Sequence, residues 1–306
     1  MADAPLFGAD LPPGHRSGFV SIVGRPNVGK STLLNRILGR KIAAVTPKPQ
    51  TTRRRLLGIK TLDDAQVLFF DTPGIHAARD LLNERMVDVA IASLGEGDLA
   101  LWVIDAGAGL TAADRAVAAR LPATGKPLVV ALNKLDAIDK PRLLPIIATV
   151  AELFPGCPVV PVSATTGENV DALLRALVEL LPEGPRYYPP DELTDEPERA
   201  IAAELVREKV MLATRDEVPY AVAVSIDAFE EKPERTLVVI KATIHVARQS
   251  QKPIVIGERG ARLKSIGQSA RHDLEALLGC RVFLELFVRV QEDWTRHPGR
   301  LREFGL

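Results

Sequence analysis

The chain predicts an α/β domain, a mostly parallel sheet with flanking helices, followed by a smaller α+β domain. Short apolar or β-branched runs alternate with helical patterns through the first 180 residues, several of them run directly into Gly, Asp or Asn, and the composition then breaks into a stretch rich in proline and acid. The strands read in order as Phe19 to Val23, Val67 to Phe70, Leu99 to Ile104, Leu128 to Leu132 and Val159 to Val162. Open sheets of this kind bind ligands at the carboxyl ends of their strands, which locates the active edge. The stretch PEGPRYYPPDELTDEPER reads as a linker. Beyond it come a helix (Ala202 to Leu212), two strands (Ala221 to Phe229 and Thr236 to Val246), two short helices around a Gly-x-x-Gly turn, and a last strand (Val282 to Val290). The expected division is a flexible N-terminus at 1–16, a first domain at 17–182, a linker at 183–199 and a second domain at 200–306.

Composition narrows the function classes. Apolar residues make up 46% of the 306 and charged residues 25%, enough for sizeable cores. The 39 basic and 39 acidic residues cancel, so any nucleic-acid surface is local. Cys157 and Cys280 are too few for a disulfide framework or a cysteine-based zinc site, and the five histidines are scattered. No apolar run approaches the ~18 residues of a membrane span, and Met1 to Gly18 lacks the apolar stretch of a signal peptide. The expectation is a cytoplasmic protein.

Gly24-Arg-Pro-Asn-Val-Gly29-Lys30-Ser31 matches G-x-x-x-x-G-K-S between a strand and the helical pattern Thr32 to Leu38, the context that motif requires. Its glycines let backbone N–H groups, including those around Asn27, Val28 and Thr32, face phosphate oxygens; Lys30 neutralises β and γ charge and Ser31 ligates Mg²⁺. Asp71-Thr-Pro-Gly74 closes another strand, placing a carboxylate for the Mg²⁺ shell and a glycine N–H near the γ-phosphate. Asn133-Lys134-Leu-Asp136 follows a further strand, and its aspartate can accept from two N–H donors on a guanine edge. Ser163-Ala164-Thr165 follows the next strand, where it can pack against the base.

The set GRPNVGKS, PQTTR (Pro49 to Arg53), DTPG, NKLD and SAT, with one second module after it, resembles the Era family of translation-factor-class GTPases over nearly the whole chain. The resemblance implies a P-loop GTPase that binds GTP and GDP with Mg²⁺ and hydrolyses GTP slowly. It places Thr51 and Thr52 in the first switch, with Thr52 taken as the residue that contacts Mg²⁺ and the γ-phosphate, so that the metal set is Ser31, Thr52 and Asp71. Lys30, Thr52, Gly74 and Asn27 form the catalytic set. Val45 to Arg55 and Ile75 to Leu94 are the segments that read nucleotide state. Ile75 stands where Ras-like proteins place a water-orienting glutamine. Asn27 matches the residue that in related GTPases helps hold K⁺ near the phosphates. Read from the loop alone it only tightens the turn, and both readings stand. Arg53 and Arg54 are either further charge donors or a solvated pair.

In the second domain, Lys252 to Gly267 (KPIVIGERGARLKSIG) resembles the core of a KH domain of the second topology, whose Gly-x-x-Gly loop clamps about four single-stranded nucleotides. Lys241 to His272 holds seven basic side chains against Glu258 alone, a local charge of +6 in a neutral chain. The RNA-binding set is Lys252, Ile256, Gly257, Glu258, Arg259, Gly260, Arg262, Lys264 and Gly267, with Glu258 a departure from the more basic loops of other KH modules. Val255, Ile256, Leu263 and Ile266 serve as core or as the floor under the bases. Trp294, Leu301 and Phe304 either flank the groove or cap the domain's own core. By the resemblance, the target is the 3′ end of 16S rRNA, the setting 30S subunit assembly and the state monomeric, with the family's peripheral association with the inner membrane as a further implication.

Overall fold

The computed structural model describes residues 11–75 and 81–306. Most of the N-terminus expected to be flexible, and His76 to Asp80 of the second switch stretch, lie outside the described residues. The chain divides into two compact units, the first made of 11–39, 52–75 and 86–195, the second of 40–51, 81–85 and 196–306.

The first unit is the expected α/β fold. Its six strands are β1 (Arg16–Val23), β2 (Leu56–Thr61), β3 (Ala65–Asp71), β4 (Leu99–Asp105), β5 (Leu128–Asn133) and β6 (Val159–Pro161), in the order β2-β3-β1-β4-β5-β6. All neighbours are parallel except β2 with β3. The chain leaves β1 for β3 on one side and reaches β4 on the other, so β1 marks the switch point where such sheets bind ligands. The helices are α1 (Lys30–Leu38), α2 (Leu81–Glu96), α3 (Ala112–Ala118), α4 (Leu143–Leu153) and α5 (Val170–Leu180). In α5, Val170, Leu173, Leu174 and Leu177 recur at helical spacing and are all buried. Trp102 sits fully buried in a core with Val23, Ile104, Val130 and Leu132. The antiparallel edge strand β2 has no counterpart in the sequence reading, because LLGIKT mixes apolar and polar residues around a glycine. That glycine is a packing requirement, since a Cβ on Gly58 would lie 2.6 Å from Leu34 Cδ1 of α1.

The stretch read as a linker is laid along the first unit as far as Asp195. Gln66 Oε1 accepts from the N–H groups of Tyr187 and Tyr188 at 2.8 and 3.0 Å, and Leu193 accepts from Ile59 N at 2.8 Å.

The second unit holds α6 (Glu198–Ala213), β7 (Val222–Glu231), β8 (Leu237–Val246), α7 (Gln251–Ile256), α8 (Ala261–Leu278), β9 (Arg281–Val290) and α9 (Pro298–Glu303). Its sheet runs β7-β8-β9, antiparallel then parallel, with β9 at an edge. The second of the two helices expected to be short spans 18 residues, because its buried positions Ile266, Ala270, Leu274 and Leu278 repeat every fourth residue through Gly267 and past it. Trp294 and Leu301 are fully buried, and Trp294 Nε1 donates to the Ala221 carbonyl at 3.0 Å. The tail therefore caps the domain's own core.

Residues 40–51, which precede the switch threonine, belong to this second unit. Glu208 on α6 is buried, and its carboxylate accepts from Lys41 Nζ at 2.6 Å, Lys209 Nζ at 2.9 Å and the Val45 N–H at 2.8 Å. Lys41 also reaches Asp273 on α8 at 2.7 Å. A buried carboxylate removed from water needs this set of partners, so the segment is fixed by the charge it neutralises.

Candidate nucleotide site and nucleic-acid groove

The loop from Gly24 to Gly29 joins β1 to α1, and its shape follows from three residues with positive φ. These are Gly24 at 153°, Asn27 at 64° and Gly29 at 98°. Gly29 caps α1, and a Cβ there would stand 2.3 Å from Asn133 Nδ2, so only glycine fits between the loop and β5. Lys30 is 6% exposed and donates to the carbonyls of Gly24 and Arg25 at 3.1 and 3.2 Å. Burial pushes its pKa down to about 8, against the attraction of Asp71.

Three hard oxygen donors meet beside it. Ser31 Oγ donates to Asp71 Oδ2 at 2.6 Å and lies 2.9 Å from Thr52 Oγ1. Burial drives Asp71 up to about 6 despite the hydroxyls of Ser31 and Thr52 and the charge of Lys30, and its Oδ1 is buried without a partner. A divalent cation with oxygen preference satisfies that atom and the two hydroxyls together, so the residues present fit Mg²⁺. Thr51 is turned elsewhere, its hydroxyl 2.6 Å from Thr46 Oγ1 and 2.9 Å from the Lys48 carbonyl. Thr72 bonds the Ile22 carbonyl at 2.8 Å, and a Cβ on Gly74 would meet Pro26 N at 2.6 Å. Ile75 is buried in the Trp102 core, so its side chain is absent from the phosphate edge.

The ends of β5 and β6 build the base end. Asn133 is buried and bridges two loops, donating from Nδ2 to the Val28 carbonyl at 2.8 Å and accepting at Oδ1 from Ala164 N at 2.9 Å. Lys134, with φ 69°, reaches Asp105 at 2.7 Å. Asp136 is held through Oδ1 by Ser163 Oγ at 2.6 Å. Arg36 of α1 donates to the carbonyls of Ala164 and Thr165, which ties the phosphate helix to the base loop. A second charge layer, which no motif in the sequence marks, has Arg25 meeting buried Asp114 at 3.2 Å and Asp105 at 3.6 Å. Asp105 was findable, since it ends β4 as Asp71 ends β3. The other two candidate charge donors differ in exposure, with Arg53 buried and Arg54 half-buried.

In the second unit, α7 ends at Gly257 (φ 74°), Arg259 takes φ 48° and Gly260 (φ 80°) caps α8. Between α8 and β9 runs a groove of about 500 Å³. Gly260, Lys264 and Gly267 of the expected set line it, over a floor of Leu263, Leu284 and Leu286. Lys252, Ile256, Glu258, Arg259 and Arg262 lie outside that lining, and Arg262 is turned back to the Ile254 carbonyl. Val255 and Ile266 are core residues. Gln268 and Arg271 also line the groove, at the helical spacing from Gly260 and Lys264 that marks one face of α8.

Residues 19–134 match the family model described as 50S ribosome-binding GTPase, and residues 217–295 the KH domain model. The chain is 49% identical to GTPase Era of Syntrophus aciditrophicus over 290 residues, covering 95% of each, and 51% identical to that of Geobacter metallireducens, covering 95% of this chain and 97% of the relative. It resembles a solved structure of Era in complex with MgGDPNP and nucleotides 1506–1542 of 16S ribosomal RNA, at 44% identity and a TM-score of 0.91 over 95% of this chain and 98% of that one. A structure of a single-substitution variant of Aquifex aeolicus Era bound to GDP and AlF4⁻ matches with the same identity and score, over 95% and 99%. With two fitting domain models and half of its residues identical to relatives of the same length, the chain belongs to the Era GTPase family.

Proposed function

We propose that the chain is a GTP-hydrolysing switch in the cytoplasm that holds the 3′ end of 16S rRNA in its KH groove and assists assembly of the 30S subunit. The observation that carries the chemical half is the cluster of Ser31 Oγ, Thr52 Oγ1 and Asp71 Oδ2 beside buried Lys30. The loop N–H groups and the Lys30 ammonium neutralise the β- and γ-phosphates and hold the transferred phosphoryl in place. Ser31, Thr52 and Asp71 would hold Mg²⁺, which supplies further charge compensation on the phosphates when bound. Asp136 accepts from the two N–H donors of guanine, and Ser163 fixes the carboxylate that does so. Adenine would leave it unpaired, a discrimination on the order of 10⁴.

No side chain at position 75 orients water, since Ile75 is core. Intrinsic hydrolysis is therefore slow, and Asn27, exposed in the phosphate loop, is the proposed point of K⁺ stimulation. Equal turnover in K⁺ and Na⁺ would remove that assignment. For the address half, the support is the groove in which Lys264 and Arg271 stand over leucine, together with the similarity of the whole chain to Era solved in complex with nucleotides of 16S ribosomal RNA. The test is paired binding: the full chain should bind GTP over ATP and, separately, retain a labelled single-stranded RNA copying the 3′ end of 16S rRNA. Loss of either with the other intact would refute that half alone.

A further inference from the structure

Strand β9 has two sides: the leucine floor of the groove uses one of them, and Glu285 between the two leucines also borders the groove. Leu284 and Leu286 face α8, and with Val288 they pack on the domain core, so the odd-numbered residues face outward. Read along that outer face, the strand is Arg281, Phe283, Glu285, Phe287, Arg289. Phe283 is 56% exposed and Phe287 is 48% exposed. They stand four residues apart on one face, about 13 Å along the strand. The two rings share one face of the strand, each about half exposed and spaced along it rather than fused into one patch. Arg281 and Arg289 close the row at both ends, exposed, and neither joins an ion pair among the described residues. The one carboxylate in the row, Glu285, is offset across the sheet by Lys241 at 3.5 Å.

We propose that this outer face is a second nucleic-acid site, a stacking platform on which Phe283 and Phe287 each take one base of a single strand while Arg281 and Arg289 hold its phosphates. The proposal rests on the groove reading above, because β9 is the edge strand and is shared. A strand leaving the groove at Leu284 and Leu286 needs only to pass over the free edge of β9 to reach the rings on its other side. Aromatic rings spaced along a sheet with cationic side chains at the ends are how single strands are bound without a deep pocket. A protein partner would be served by the rings alone; the guanidinium at each end and the continuity with a basic groove favour a polyanion.

The experiment compares two labelled RNAs copying the 3′ end of 16S rRNA, one of about five nucleotides, enough for the four that a KH groove clamps, and one of about twelve. With the full chain carrying F283A and F287A together, affinity for the longer RNA should fall by about tenfold or more, as expected for lost base stacking, while the shorter is bound as before. F283Y with F287Y should keep the affinity of the wild type, and unchanged binding of the shorter RNA with an unchanged melting temperature shows that the alanine chain is folded. R281Q and R289Q should each lower the slope of log affinity against log salt by roughly 0.7 for the longer RNA only. Unchanged affinity of the F283A/F287A chain for the longer RNA overturns the platform. If those substitutions instead abolish self-association in sedimentation and spare RNA binding, the face belongs to a second copy of the chain. A wild-type chain that binds neither RNA refutes the groove reading and this one with it.

Discussion

At the phosphate loop the charged groups are inside: Lys30 and Asp71 are 6% and 0% exposed, and each is displaced from its ordinary pKa toward neutrality by burial. In the groove of the second unit the charges are outside, with Lys264 and Arg271 standing in water over a floor of Leu263, Leu284 and Leu286. A buried charge is worth much to a ligand that replaces its missing partner, and the geometry must then be exact to a fraction of an ångström. An exposed charge gives attraction that tolerates movement and is screened by salt. The first arrangement suits chemistry on one small substrate; the second suits a flexible polyanion.

If that contrast is right, damage at the first site should be abrupt and at the second gradual. The largest effect expected is for K30A, which should lower GTP turnover by about 10³-fold, measured in single-turnover assays with the melting temperature as a control. Next is D136N, which exchanges an acceptor for a donor: GTP affinity should fall by roughly 10³-fold or more and xanthosine triphosphate, with an acceptor at that edge, should now bind. G29A should follow, since its Cβ would stand 2.3 Å from Asn133 Nδ2 at a φ of 98°, and a loss of about 10- to 100-fold in nucleotide affinity by calorimetry would sharpen the view that the loop is rigid. In the groove, K264Q and R271Q should each weaken RNA binding about equally across sequences and reduce the salt slope by about 0.7, with nucleotide affinity intact. An abrupt loss from either would break the contrast.

The smallest effect concerns pH. Burial, with the nearby charge of Arg289, holds His245 below its ordinary pKa, against the hydrogen bond with Gln291 and the charges of Asp227 and Glu303. An unfolded chain binds this proton more readily than the folded one, so stability should decline as pH falls below about 6.5. H245Q should flatten that part of the melting-temperature profile.

How much was legible in the sequence follows the same division. The nucleotide site is built where strands end, and a buried strand running into Gly24, Asp71, Asn133 or Ser163 announces itself, because a polar residue at the end of an apolar run has few other uses. Arg25 with Asp114 was not legible, because a pairing across 89 residues of chain is set by tertiary packing alone. The same holds for residues 40–51, which are held to the second unit by buried Glu208, by Asp273 and by the Met211 and Thr214 carbonyls that accept from Lys48, all far along the chain. In the groove, the expected set of residues 252 to 267 includes Gly260, Lys264 and Gly267 of the lining, while Gln268 and Arg271 of α8 and the stretch of β9 opposite carry no loop motif that would mark them. Gly267 hid that helix's length, and with it the face that matters.

A switch of this kind requires that GTP turnover in the first unit answer to RNA held by the second. The most direct test is steady-state GTP turnover by the full chain in K⁺ buffer, with and without a twelve-nucleotide RNA copying the 3′ end of 16S rRNA. The account predicts faster turnover with RNA and no response in a chain carrying K264Q and R271Q. Identical turnover at RNA concentrations that saturate the groove would contradict it.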